Sequence, residues 1–447
     1  MKRFLTNMIF PLIAFFMFAT LLIPILVTVK TPIGPQQLFA YSVSPLAYSF
    51  MLTGVFIASR PRFLEKHVGM PKMYAIHALM TILAFFLVLY HIIFYWQGFG
   101  AIFRSPATIF GWIGMILIFL GMMSGILSLS GMFINKIKPL KYLKEKVLNR
   151  EVMLWIHRIA GIGSVVAVYL QNVFIGFLRA NTPYMIVLGL YTALILGYYF
   201  YWKLETQFLP KYKVSKIYKA TPLLWVLEFE PKRGNIVEYS PGDYFFIRFK
   251  GSANITKEAH PFSTSSAITK KHSNTIEFMI KEAGDWTKSL ANIKVGDVAT
   301  LEGPYGDFFP PVARESESPY VLMGGGIGLT PNLSILRSEI EKKSQRRIEL
   351  IWALSYESDM FMIDELESYK KVNPNFNYHI IFSNEEVKNY PFGFISNPYL
   401  EQIGVSEVYQ DATFFICGPD IMMESTYNVL VKGGVPANKI YVDDFGF

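Results

Sequence analysis

The residues of this 447-residue chain most able to do chemistry are three histidines in apolar stretches: His77, His91 and His157. His77 and His91 lie fourteen positions apart within one stretch. At 1.5 Å per residue that step is about 21 Å along a helix. At 100° per residue it falls about 40° short of four turns, so both imidazoles share one face. An ionisable side chain at membrane depth is a functional candidate, the bland alternative being a hydrogen bond that ties two helices together. Two imidazoles on one face, one toward each side of an apolar core about 30 Å thick, suit axial ligation of two stacked haems. His157 offers a further ligand from a second stretch. Fourteen residues after His157 the chain has Gln171 rather than a histidine.

Apolar segments of spanning length run at about 4–29, 36–59, 73–96, 108–134, 152–178 and 183–202. Arg60, Arg62, Lys66 and Lys72 follow the second segment, Lys136, Lys138, Lys141, Lys144, Lys146 and Arg150 the fourth, and Lys203, Lys211 and Lys213 the sixth. The opposite side carries only Lys30, Arg104 and Arg179. Positive-inside counting puts the N-terminus, with Lys2 and Arg3, and the whole C-terminal half in the cytoplasm. A signal peptide is the other reading of the first segment, but its apolar region is too long and lacks a small-residue cleavage site. The third and fifth spans then run the same way. That pairs His77 with His157 near the cytoplasmic face and His91 with Gln171 near the outer one. Arg158 is placed either to pair a haem propionate or to snorkel to headgroups.

A hydrophobic share of 52% with only 17% charged residues is too apolar for an ordinary soluble protein. Before residue 203 the only acids are Glu65, Glu145 and Glu151, so the net charge of +8 sits mostly in loops between apolar segments. That placement argues against nucleic acid as a partner and for a lipid bilayer. The lone Cys417 allows no intramolecular disulfide, cysteine-ligated zinc or iron–sulfur cluster.

From Lys213 the pattern changes to short alternating strands, Lys213–Tyr218, Trp225–Glu230, Tyr244–Phe249 and Thr275–Ile280, with turns such as Ser240-Pro241-Gly242-Asp243 between them. This reads as a small antiparallel barrel. It contains His260-Pro261-Phe262-Ser263-Thr264-Ser265-Ser266 and Gly284-Asp285-Trp286-Thr287. The second reads as an anion site at a helix start or simply as a capped helix. From Tyr320 the order becomes strand, turn, helix. Tyr320–Met323 runs into Gly324-Gly325-Gly326-Ile327-Gly328-Leu329-Thr330-Pro331, where glycines let a phosphate approach the backbone. Strands at Ile348–Ala353, Tyr378–Phe382 and Thr413–Ile416 complete a parallel-sheet pattern. The last leads into Cys417-Gly418-Pro419, beyond a strand's carboxyl end, where open α/β sheets bind ligands. The chain closes on Phe445-Gly446-Phe447.

Together these residues resemble the ferric reductase and NADPH oxidase superfamily in its short prokaryotic form. The likeness rests on His-Pro-Phe-Ser, Gly-Asp-Trp-Thr, Gly-Gly-Gly-Ile-Gly-Leu-Thr-Pro, Cys-Gly-Pro and the final aromatic, in family order. It implies a multidomain membrane protein: a six-helix transmembrane α-bundle binding haem (1–205), an antiparallel β-barrel FAD domain (206–315) and an α/β Rossmann-like NAD(P)H domain (316–447). By the same likeness His260, Pro261, Phe262, Ser263 and Ser266 line the FAD, and Gly284, Trp286 and Thr287 hold its pyrophosphate. Gly324, Gly325, Gly326, Gly328, Thr330 and Pro331 receive the nicotinamide cofactor. Cys417, Gly418 and Pro419 flank the nicotinamide, and Phe447 stacks on the flavin. Ser263, Cys417 and Phe447 are thus the expected catalytic positions. His77 and His157 hold the inner haem b and His91 an outer one.

The implied activity is electron transfer from cytoplasmic NADPH or NADH through FAD and haem b to an external acceptor. That acceptor is dioxygen, giving superoxide, or a ferric chelate. The alternative is donation to a quinone or a partner redox protein. The implied location is the plasma membrane, with both termini cytoplasmic. Gln171 departs from the family's outer histidine. After Ile348–Ala353 no arginine is placed for a 2′-phosphate, Ser355 favours NADPH, and Glu357 or Asp359 favours NADH.

Overall fold

The computed structural model describes residues 2–29, 32–94, 104–129, 150–251, 255–267 and 274–443. Its contacts divide the chain between Gln207 and Phe208 into two compact units.

The first unit is helical: α1 Lys2–Thr28, α2 Pro35–Ala58, α3 Arg62–Val68, α4 Met70–Phe94, α5 Pro106–Leu129, α6 Arg150–Phe174, α7 Gly176–Arg179 and α8 Thr182–Glu205. Six of these, all but the short α3 and α7, are long and apolar enough to cross a membrane. Phe15, Phe16, Val27, Ile159 and Leu194 stand on the bundle's exposed side, as side chains that meet lipid rather than water do. Polar side chains bond across helices inside: Tyr48 with Thr192 at 2.6 Å, and Tyr184 with Asn172 at 2.6 Å. The fifth span is shorter than expected. It stops at Phe174, where Ile175 turns extended ahead of Gly176, glycine being the weakest helix former after proline.

A seam of small residues joins α5 to α6. A Cβ on Gly111 would lie 2.9 Å from the Gln171 amide, one on Gly114 3.0 Å from Val168, and one on Gly125 3.1 Å from the His157 ring. Gly121 lies against Ala160 and Gly161. As α5 ascends α6 descends, so the two helices are antiparallel. Small residues allow this approach where apolar burial supplies no drive between helices.

The second unit has two sheets. The first contains β1 Lys211–Thr221, β2 Leu224–Pro231, β3 Tyr244–Lys250, β4 His260–Ser263, β5 Ile276–Lys281 and β6 Val298–Tyr305, in the order β4-β3-β6-β1-β2-β5. Its edges meet through the Thr264–Phe278 bridge and the Ser265 N–H bond to the Glu277 carbonyl at 2.9 Å, so the sheet curls into a barrel with one sparse seam. Inward Tyr212, Phe229, Phe245, Phe249 and Phe278 fill it. The short helix α9 Asp285–Lys288 covers one end, and α10 Pro311–Arg314 leads onward.

The second sheet holds β7 Tyr320–Gly325, β8 Ile348–Leu354, β9 Phe376–Phe382, β10 Thr413–Cys417 and β11 Ile440–Asp443, all parallel, in the order β11-β10-β7-β8-β9. Helices α11 Leu329–Glu341, α12 Ile363–Val372, α13 Asn397–Gln402 and α14 Asp420–Lys432 connect its strands. Chain order runs outward from β7 to β9, then returns to the other side of β7 at β10. The topological switch point, where such sheets bind ligands, therefore falls between β7 and β10.

Candidate functional site

In the helical unit His77 on α4 and His157 on α6 face one another with ring centroids 5.9 Å apart. The Nδ1–H of His77 donates to the Gly54 carbonyl at 2.9 Å, and that of His157 to the Gly121 carbonyl at 2.8 Å. In a neutral ring this leaves Nε2 as the lone-pair nitrogen, and such an outer bond is how ligating histidines are usually oriented. With metal–nitrogen bonds of about 2 Å, two rings on opposite sides of one ion have centroids about 6 Å apart. Among the described residues no group of three or more His, Cys, Asp or Glu is placed to hold a metal ion. One imidazole from each of two helices at this spacing suits a metal whose other donors come with it, as in a haem.

His91, four turns further along α4, lines a small cavity of about 30 Å³ with Gln171, Gly111, Ser44, Met51 and Val168. The second site is thus enclosed by the same helices as the first.

In the second unit the two FAD-type segments converge. Trp286 of α9 packs on His260 of β4 with centroids 4.6 Å apart and on Phe262 at 5.5 Å. Its ring is 7% exposed, and among the described residues its indole N–H has no hydrogen-bond partner. A buried donor without an acceptor is costly, and a bound cofactor would supply one. Pro261 lies between the two stacked residues on β4, opposite Phe246 of β3. Gly284 precedes α9, where the Thr287 hydroxyl accepts from the N–H groups of Ala283 and Gly284 at 2.8 and 2.9 Å. Those two donors are turned inward rather than toward an anion.

Ser263 is buried on β4 opposite Tyr244. Ser266 is engaged within the fold: its hydroxyl accepts from the Glu277 N–H at 3.0 Å, and its carbonyl accepts from Ser334 of α11 at 2.7 Å.

At the switch point the two glycine segments touch. Gly324 pairs with Cys417 across β7 and β10. A Cβ on Gly328 would collide with the Cys417 carbonyl, and one on Gly325 with the Met422 sulfur and, at 2.9 Å, with Pro419. A Cβ on Gly418 would lie 3.0 Å from the Gly325 Cα, and Gly326 has φ +52°. Only glycine permits this crevice. Thr330 is buried at the start of α11, its hydroxyl donating to the Ile327 carbonyl at 2.8 Å. Pro331 packs on the turn at Gly242, whose neighbour Asp243 accepts from Thr264 through both N–H and hydroxyl, at 2.9 and 3.0 Å. One turn thus links the β4 segment to the glycine loop. Phe447 lies outside the described residues.

Three contributors carry no local motif. Trp352 of β8 donates its indole N–H to the Gly326 carbonyl at 3.0 Å. Arg337 of α11 reaches across the barrel seam to Glu277 at 2.6 Å and the Ser265 carbonyl at 3.0 Å, while its other edge holds Glu365 at 2.7 and 3.0 Å. Burial works against its charge, but these carboxylates outweigh burial and leave the guanidinium more basic than usual. Lys281 of β5 pairs with Asp359 at 3.2 Å beside a small cavity of about 20 Å³ that Gly326 and Ile327 also line. Asp359 is therefore charge-balanced, and a second acid, Glu385, accepts from the Glu357 N–H at 2.8 Å.

Residues 224–309 match the family described as FAD-binding domain, and residues 322–428 the oxidoreductase NAD-binding domain. Both matches fall in the second unit, an FAD-binding stretch followed by an oxidoreductase NAD-binding one. The chain is also similar to one component of the Na(+)-translocating NADH-quinone reductase of several bacteria. It is 29% identical to that component from Idiomarina loihiensis over 169 residues (37% of this chain, 41% of the relative). It is 30% identical to the one from Neisseria meningitidis serogroup B over 168 residues (36% and 41%). The matched stretch spans about two fifths of these relatives' own length. Among solved structures, the flavohaem-like FAD/NAD binding domain of nitric oxide dioxygenase from Vibrio cholerae aligns at TM-score 0.46 and 22% identity, covering 53% of this chain and 98% of that one.

Proposed function

We propose that the chain is a transmembrane NAD(P)H oxidoreductase. It would pass electrons from the cytoplasmic side through FAD and haem b to an acceptor on the far side, dioxygen giving superoxide or ferric iron giving ferrous. The observation that carries this is the facing His77–His157 pair inside a bundle of six apolar helices, on the same chain as the FAD/NAD pair. Bound FAD exchanges a hydride for single electrons and haem b carries those electrons one at a time, which is the cofactors' own chemistry.

The chain's residues bind, orient and exclude water. His77 and His157 would ligate the inner haem, and His91 an outer one. His260 to Ser263, with Ser266, and Gly284 to Thr287 would hold FAD. Gly324 to Pro331 would admit the dinucleotide to the switch-point crevice. Lys281, from the barrel, lines that loop's cavity and would meet phosphate there. Cys417 to Pro419 would flank the nicotinamide, and Phe447 would cover the flavin. The division at 1–205, 206–315 and 316–447 belongs to this reading. So do the plasma membrane and the cytoplasmic placement of both termini, supported by the lysine- and arginine-rich loops.

A second reading has the same chain donating to a quinone or partner redox protein. The relatives' name, which places them in an NADH-quinone reductase, supports it.

The test is anaerobic reduction of the purified holoprotein by NADH and NADPH, followed by absorbance. Haem reduction requiring FAD is expected, with superoxide formed or ferric chelate reduced on admission of acceptor. Haem that stays oxidised in protein carrying both cofactors overturns the relay. Turnover that appears only on adding quinone or a co-purified protein favours the second reading.

A further inference from the structure

We propose that the outer half of the bundle holds its haem on one imidazole, His91, and leaves the opposite coordination position open to a diatomic ligand such as dioxygen or carbon monoxide. The Gln171 amide would be the hydrogen-bond donor beside that ligand. The inference rests on the reading that the bundle binds haem.

The two sites are built alike, which makes their difference informative. His157 lies against Gly125 of α5, and Gln171 lies against Gly111, fourteen residues away on each helix. His77 faces His157, and His91 shares its cavity with Gln171. In the inner site each of the two helices offers an imidazole. In the outer site the same arrangement offers one imidazole and one neutral amide. An amide oxygen is a hard, weak donor beside imidazole for iron, whereas its NH2 group carries two hydrogen-bond donors.

Gly111 is what gives that NH2 its room, since a Cβ there would lie 2.9 Å from the Gln171 Nε2. Ser44 adds the cavity's hydroxyl, while Met51, Val88 and Val168 keep the rest apolar. An open iron position, one amide donor and an apolar surround are the features that decide whether a haem binds a diatomic or only relays electrons. No bond breaks on binding: the ligand occupies a position the protein leaves vacant.

The experiment is carbon monoxide titration of the dithionite-reduced holoprotein, with the haem-to-flavin ratio and the spin state of the oxidised form. Expected are two haems per flavin, one low-spin and inert, one high-spin and forming the carbonyl adduct. His91→Ala removes the reactive haem only. Gln171→His keeps both haems but converts the reactive one to low-spin and abolishes the adduct. Gln171→Leu retains the adduct with a raised C–O stretching frequency, because the donor is lost. One haem per flavin, two inert low-spin haems, or an adduct unchanged in Gln171→His overturns the proposal. A parent with no haem overturns the bundle reading beneath it.

Discussion

His77 and His157 stand 5.9 Å apart between ring centroids, each pinned at Nδ1 by a glycine carbonyl of a neighbouring helix. The pinning carbonyls belong to Gly54 on α2 and Gly121 on α5, so four helices set the distance between two rings. Rings held in this way lose little freedom when they ligate, which is the basis of preorganised sites.

Gly125→Val tests that pinning without replacing a ligand. A branched side chain there meets the His157 ring, since even a Cβ would lie 3.1 Å away. Haem retention is expected to fall about 10–100-fold, the range seen when the outer partners of ligating histidines are lost. His157→Ala should abolish the low-spin spectrum outright. Titration of apoprotein with hemin reads both.

Gly328→Ala addresses the crevice at the switch point. Its methyl group meets the Cys417 carbonyl, a backbone atom that cannot rotate away. Overpacking of this kind costs about 1–3 kcal/mol, and the shift should separate β7 from β10 where the dinucleotide enters. The expected result is a KM for NAD(P)H raised by about tenfold or more, equivalent to about 1.4 kcal/mol, with FAD content unchanged. A wild-type KM would remove the crevice from the binding site.

Arg337→Ala removes the residue that ties the barrel seam to α11 and α12. Glu277 and Glu365 then lose a partner in a setting where the arginine is only 15% exposed. Breaking such a pair costs about 3 kcal/mol or more. Urea unfolding of the detergent-solubilised protein, followed by flavin fluorescence, should show an earlier midpoint. Arg337→Lys should recover only part, because a point charge cannot span both carboxylates.

Acid stability should turn on Glu349, whose side chain is 3% exposed. Burial alone would raise its carboxyl, but hydrogen bonds from His379 at 3.0 Å and Arg347 at 2.9 Å outweigh burial and hold it below the ordinary value. A depressed carboxyl stabilises the fold above its unfolded value of about 4.3 and loses that contribution as pH falls through the folded one. Thermal midpoints of the parent should therefore drop as pH is lowered from about 4.5, while Glu349→Gln starts lower at neutral pH and changes less. Parallel curves for the two proteins would remove Glu349 from the acid limb.

Much of the fold was legible in local pattern. The six apolar segments, the strands around Trp225, Tyr244 and Ile348, and the glycine loop after Met323 all announce themselves by period or composition, and the structure has an element at each. Strands β6 and β11 and the short helix α3 give no such local signal. β6 carries Gly303 and Pro304, which break a strand pattern read locally, yet it pairs with both β1 and β3. The segment His260–Ser263, whose residue types suit a cofactor site, is an edge strand as well.

By itself the sequence determined the residue types at each site, their spacing along a helix and the order of the domains, because these depend only on what lies nearby in the chain. Tertiary structure alone decided the partners. Gly54 and Gly121 as anchors of the two imidazoles, Trp286 on His260, the Cys417 carbonyl against Gly328, and Arg337 across the barrel seam join residues far apart in the chain. No periodicity records them, because each exists only once helices and sheets have packed. The same holds for Gln171: its identity was readable from the start, but only packing puts it in one cavity with His91, against a glycine that leaves its amide room.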